Sequence, residues 1–159
     1  EFLFGAGGRE NAPAVVTFVG SGGKTSLIWL LARFLARRAI LVTPSTKIFV
    51  PAPEEKCFDR YCEGIPAAPV PGITLAGCFN AETGKLESLP TAALEKAVRG
   101  YDAVLIEGDG AKELPLKGWA EHEPVVPSVT NVTVGVLPLW PLGMPVSEKI
   151  IHRLPLFCE

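Results

Sequence analysis

Apolar residues along this chain gather in short unbroken runs that stop at glycine or proline, with helically spaced stretches between them. Residues 14–19 read AVVTFV and halt at Gly20. A run so short, rich in β-branched residues and without alternation, predicts a strand buried on both faces. Beyond it Leu27, Leu30, Leu31, Phe34 and Leu35 recur at helical intervals, while Arg33, Arg37 and Arg38 supply polar positions and a basic last turn. Residues 39–42 (AILV) predict the next buried strand, ended by Thr43-Pro44. The span 51–71 is rich in proline and charge and reads as a long excursion. Residues 72–76 (GITLA) predict a short strand and residues 80–84 (NAETG) a turn. Pro90 can open a helix and Gly100 can end it, with Leu94, Ala97, Val98 and Tyr101 on one face. Residues 103–106 (AVLI) predict another buried strand, 132–137 (VTVGVL) a fifth, and a short helix is expected from near Ser147 through His152.

Strand and helix alternating in this order predict an α/β fold, a mostly parallel sheet with helices on both faces. With a core of this size the 159 residues suit a single domain spanning 1–159. Right-handed crossovers place the active edge at the C-terminal ends of the strands. Three polar stretches lie there, at residues 20–26, 43–47 and 107–112, and the fold would bring them together.

Composition narrows the classes of function. Hydrophobic residues make up 48% of the chain and its formal charge is −2, which gives no long-range attraction to nucleic acid or to an anionic membrane. No apolar run approaches bilayer length. The chain opens on Glu1-Phe2 with no signal-peptide pattern, so a trimmed or processed start and a cytoplasmic location are expected. Cys57, Cys62, Cys78 and Cys158 are irregularly spaced with no C-x-x-C pair, and are expected as reduced thiols. Trp29, Trp119 and Trp140 are expected to pack, since no basic patch interleaves with them.

The stretch FVGSGGKTS carries the strongest chemical signal. A loop whose amides converge on phosphate favours glycine, because side chains would block the approach. Feeding a helix N-terminus, it would add that helix's free N–H groups and partial positive charge. Gly20, Ser21, Gly22, Gly23, Lys24, Thr25 and Ser26 are therefore the candidate nucleotide-binding residues. Lys24 would reach the β- and γ-phosphates, and Thr25 would offer its hydroxyl to Mg²⁺. The pattern G-x-x-x-x-G-K-[ST] would need glycine where Phe18 stands, so the loop is compressed. At the end of VLIEGDGAK, Glu107 or Asp109 can hold Mg²⁺ opposite the loop, and the expectation adopted is Thr25 with Asp109 on the metal. In LVTPSTKIF, Thr43, Ser45, Thr46 and Lys47 can contact phosphate, metal or substrate at the same edge. His122, between Glu121 and Glu123, has the chemistry of a base or a ligand.

Taken together, FVGSGGKTS, LVTPSTKI, VLIEGDGAKELPLK and AEHEPVVPSVT resemble the YqeC-like family, accessory proteins of selenium-dependent molybdenum hydroxylases. The resemblance runs in order from about Val15 to His152-Arg153. It implies a P-loop NTPase-like three-layer sandwich and a part in maturing a molybdenum hydroxylase, a possible protein partner. It carries nucleotide binding onto Gly20, Gly22, Gly23, Lys24 and Thr25, and the acidic strand end onto Glu107 and Asp109, with Lys112 beside them. It also marks Lys117, Glu121, His122 and Glu123. Two departures stand out: Pro44 where a threonine is expected, and Gly118-Trp119 in place of a small proline-containing link. The family is usually longer, which implies a fragment lacking C-terminal elements.

The resulting expectation is Mg²⁺-dependent binding and hydrolysis of a nucleoside triphosphate. ATP and GTP stay open, because no N-K-x-D guanine reader is present. Two alternatives use the same cradle. One is a phosphotransferase or carboxylate-activating ligase acting on a small molecule. The other is a nucleotide-dependent chaperone or switch that does not hydrolyse.

Overall fold

In the computed structural model, residues 13–64, 66 and 68–159 are described. The apolar runs become the centre of the sheet: β1 (Ala14–Gly20), β2 (Ala39–Pro44) and β7 (Ala103–Glu107) are buried along almost their whole length. Between β1 and β2 lies α1 (Lys24–Phe34). Between β2 and β7 come β3 (Lys47–Phe49), β4 (Arg60–Glu63), β5 (Gly72–Asn80), β6 (Lys85–Glu87) and α2 (Thr91–Val98). After β7 follow β8 (Leu116–Lys117), β9 (Val132–Val136), β10 (Ile151–His152) and α3 (Leu154–Cys158).

The main sheet runs β3-β6-β5-β2-β7-β1-β9, with β4 also paired to β5. β9, β1, β7, β2, β5 and β4 are parallel to their neighbours, while β6 pairs antiparallel with β5 and β3. The antiparallel corner follows from the turn at residues 80–84, where Gly84 N–H donates to Asn80 O at 2.8 Å and the Asn80 side chain accepts from Glu82 and Thr83 N–H. β8 and β10 form a separate two-stranded parallel pair.

Alternation across the pleat sends side chains to two cores. Val16, Phe18, Ile40, Val42 and Leu105 pack with Ile28, Trp29 and Ala32 of α1. Val15, Leu41, Val104 and Ile106 pack with Ala93, Leu94, Ala97 and Val98 of α2. The result is a mixed α/β architecture with a mostly parallel central sheet, few helices, and α1 and α2 on opposite faces.

Several expectations need correction. The helical spacing places Leu30 and Phe34 on the apolar stripe of α1, but they are 66% and 86% exposed. The helix is turned by its first residue: Lys24 is buried, so Ile28 and Ala32, at four-residue steps from it, face inward with it. His152 lies on strand β10, not on a helix from Ser147; Arg153 takes a left-handed φ of 56° and α3 starts only at Leu154. Trp119 and Trp140 are 49% and 62% exposed, and of the three tryptophans only Trp29 is in a core. The excursion at 51–71 contains β4 and a 3-10 turn (Pro53–Glu55), and the strand expected at 72–76 extends to Asn80. No disulfide joins the four cysteines among the described residues.

Candidate functional site

β1 leads through α1 to β2, which lies beyond β7, whereas β7 leads on to β9, which lies beyond β1. Connections from these two adjacent strands therefore depart in opposite directions. Where they diverge, a crevice opens at the strands' carboxyl ends. The glycine loop stands at the end of β1 and Glu107 at the end of β7, opposite Phe18 in the register.

Three glycines of the loop have left-handed φ: Gly20 at 101°, Gly22 at 61° and Gly23 at 96°. Two of them are required for different reasons. A Cβ on Gly20 would lie 2.4 Å from Val136 O, so the backbone passes too close to β9 for any side chain. Nothing lies within 4 Å of where a Cβ on Gly23 would be, so only the φ demands glycine there. Gly23 is the N-cap of α1 and no side chain caps it. The first helical bond runs from Leu27 N–H to Gly23 O at 2.9 Å, which leaves the N–H groups of Lys24, Thr25 and Ser26 without partners in the helix. Ser21, by contrast, is pinned: its N–H donates to Val136 O at 3.0 Å and its hydroxyl to Pro115 O at 2.6 Å.

The two carboxylates have different surroundings. Asp109 is completely buried and saturated with donors. Gly20 N–H reaches its oxygens at 3.1 and 3.2 Å, the Trp119 indole N–H donates to Oδ2 at 2.8 Å, and the ammoniums of Lys24 and Lys117 stand 3.3 and 3.2 Å away. Glu107 lines the groove in front of the loop and accepts from the Thr25 hydroxyl at 3.0 and 3.2 Å, with the Lys24 ammonium at 4.0 Å. Burial pushes the Glu107 carboxyl above its ordinary value; Lys24 and the Thr25 hydroxyl pull the other way, and Asp109 adds to the rise. Lys24 is itself 4% exposed and also donates to Gly20 O at 2.7 Å.

The groove has a volume of about 680 Å³. It is lined by residues 22–26 and Glu107, by Lys47, Ile48 and Phe49 of β3 with Lys85 of β6, and by residues 110–113. Of the β2 exit residues, Ser45 donates through its hydroxyl to Val125 O at 2.6 Å, bracing the segment between β8 and β9. The hydroxyls of Thr43 and Thr46 are buried and have no hydrogen-bond partner among the described residues. Lys47 is paired with Glu87 at 2.8 Å.

A charged chain leads away from the loop. Lys117 bonds to Gly110 O at 2.6 Å and to Glu123 Oε2 at 2.8 Å, and Glu123 is paired in turn with Arg153. Burial alone would raise the Glu123 carboxyl, but hydrogen bonds from Arg153 and Lys117, with their charges, outweigh it and hold the group at about 2. His152 is pushed below its ordinary value by burial, then by Arg153, Lys112 and Lys117. Glu121 and His122 are exposed and away from the groove lining.

The sequence pattern gives no site role to Phe49 or Lys85 and reads Trp119 only as a packing residue. The pairing of Phe49 with Lys85 follows from the turn at 80–84 once β3 is known to join that hairpin. Nothing in the sequence pattern directs Trp119 at Asp109. Among the described residues no His, Cys, Asp or Glu cluster has the make-up of a metal site, and no helix is long and apolar enough to cross a membrane.

Fold and site together define a mixed α/β protein with a glycine loop, a buried lysine and paired acidic side chains at the switch point of its sheet. The chain belongs to the YqeC family: the family model described as YqeC protein matches residues 16–155. It is 32% identical over 161 aligned residues to the YqeC protein of Escherichia coli (strain K12), an alignment covering 96% of this chain and 62% of that protein. The chain thus spans less than two thirds of that relative's length. No solved structure matches it significantly.

Proposed function

We propose that this chain is the nucleotide-binding part of a P-loop NTPase-like protein that binds ATP or GTP with Mg²⁺ and hydrolyses it. The observation that carries the reading is the uncapped N-terminus of α1, entered through left-handed glycines at the sheet's switch point, with Lys24, Thr25 and Glu107 beside it. Free helix N–H groups and a glycine backbone suit a polyphosphate. Lys24 supplies a point charge that exchanges its bonds to Gly20 O and Asp109 for phosphate oxygens.

Hard oxygen donors suit Mg²⁺, and the Thr25 hydroxyl lies against the Glu107 carboxylate within hydrogen-bond distance. Thr25 and Glu107 are therefore the residues to hold the ion. Asp109, the ligand expected from sequence, already meets two ammoniums, a backbone N–H and an indole N–H, and serves to fix the loop instead. When bound, the ion would supply charge neutralisation on the phosphates. The loop amides and Lys24 would hold the transferred group and stabilise its developing charge. A role in maturing a selenium-dependent molybdenum hydroxylase rests on the motif resemblance given above.

Calorimetry with non-hydrolysable ATP and GTP analogues and Mg²⁺ tests the reading. Wild-type protein should bind at least one of them, and Lys24→Ala should lower any turnover by about 10²–10³ while the fold is retained. No affinity for any nucleoside triphosphate in the presence of Mg²⁺ would overturn it.

A further inference from the structure

The groove is longer than the phosphate cradle. Its lining carries features the nucleotide reading leaves unused. In a chain of formal charge −2, four lysines, Lys24, Lys47, Lys85 and Lys112, line this one groove against the carboxylates of Glu107 and Glu113. Lys24 and Lys47 have acidic partners, whereas Lys85 and Lys112 make no ion pair among the described residues. Lys85 instead sets its ammonium 4.4 Å from the centroid of the Phe49 ring. That ring is 65% exposed, a large apolar side chain left open in the groove's lining.

Another part of the same lining is held in an unusual shape. Lys112 and Glu113, neither of them glycine, have consecutive left-handed φ values of 49° and 63°. Such strain persists where the surroundings enforce it, and it gathers at ligand sites. Here it presents an exposed ammonium in the groove's lining.

We infer that Phe49, Lys85 and Lys112 form a second subsite, which takes a small organic anion with a carboxylate or phosphate group on an apolar or ring body. The two unpaired ammoniums hold the charge, and the open Phe49 ring packs against the body of the ligand. As the seat of a second substrate beside a nucleotide, the subsite rests on the reading proposed above; as an anion site it stands by itself.

Benzoate, phenyl phosphate and inorganic phosphate are the probes, titrated by NMR into ¹⁵N-labelled protein with and without a saturating Mg²⁺-nucleotide analogue. The two ring-bearing probes should shift the amides at 47–49, 85 and 112 in both conditions. The benzoate and phenyl phosphate arms tell a carboxylate ligand from a phosphate one. Lys85→Ala with Lys112→Ala should weaken both by at least about tenfold, as expected for lost charge-assisted bonds. Phe49→Ala should erase the advantage of phenyl phosphate over inorganic phosphate. All three side chains are at least partly exposed, so the variants should keep the fold, as the amide spectrum will show. Probe affinities within twofold of wild type in these variants would overturn the subsite. So would displacement of both ring probes by the nucleotide analogue. If the probes bind as described but no nucleotide does, the subsite stands and the nucleotide reading falls.

Discussion

Asp109 shows how much of this site rests on one side chain. It is fully buried, and its charge is shared by Lys24 and Lys117, which are 4% and 7% exposed. Removing one member of such a cluster leaves buried like charges without their partner. Asp109→Asn is therefore expected to cost about 3–5 kcal/mol in urea unfolding. Glu107→Gln should behave in the opposite manner. Burial raises the folded-state pKa of Glu107, so its stabilising contribution is present below the unfolded-state pKa and is lost as pH rises through the folded value. Relative to wild type, the Gln variant should gain stability between pH 5 and pH 8 (roughly the span above an ordinary carboxylate pKa), while Mg²⁺-dependent nucleotide binding is lost. Equal unfolding midpoints for the two proteins at both pH values would show that Glu107 is not held as described.

At the level of the element, α1 is oriented by its buried first residue, not by its most apolar stripe. Ile28 is 1% exposed and Phe34 is 86% exposed, although both are large and apolar. Ile28→Ala is thus expected to cost about 2–5 kcal/mol, and Phe34→Ser less than about 0.5 kcal/mol, in the same unfolding assay. Similar costs at both positions would mean that the helix is rotated from the position described. The contrast also shows what the sequence could convey. The strands at 14–19, 39–42 and 103–106 were legible because runs buried on both faces need no knowledge of their partners. The loop from Gly20 to Thr25 was legible as a strand-to-helix connection because its glycines separate an apolar run from a helically spaced one. The rotation of α1 was not, since it depends on Lys24 finding Asp109 more than eighty residues away. Nor were β3 and β6, three residues each, which are strands only because they extend one another along the edge of β5. The choice between Glu107 and Asp109 was likewise hidden. Two residues apart at a strand end, they differ only in which partners the rest of the chain brings to them.

At the scale of the whole molecule, the chain Asp109, Lys117, Glu123, Arg153 ties the loop to the small β8–β10 sheet and to α3. Within that sheet Leu116 and Gly118 N–H donate to Ile150 O and His152 O; Ile150 and Ile151 are buried, whereas α3 has no buried residue. Glu123 is the hinge of that attachment, because among the described residues it alone accepts from both Lys117 and Arg153. Its folded-state pKa is depressed to about 2, so the stability it supplies is present above the unfolded-state value near 4.5 and is lost as pH falls from there toward 2. Between those limits protonation should loosen Arg153 and α3 while the apolar centre of the sheet, which has no such dependence, holds. Amide exchange followed by mass spectrometry at pH 7 and pH 3, corrected for the intrinsic exchange rate, should show protection falling at residues 148–158 and persisting in β1, β2 and β7. Glu123→Gln should show the loosened pattern already at pH 7. If exchange at 148–158 in the wild type follows the intrinsic rate alone from pH 7 to pH 3, the carboxylate does not secure that end of the molecule.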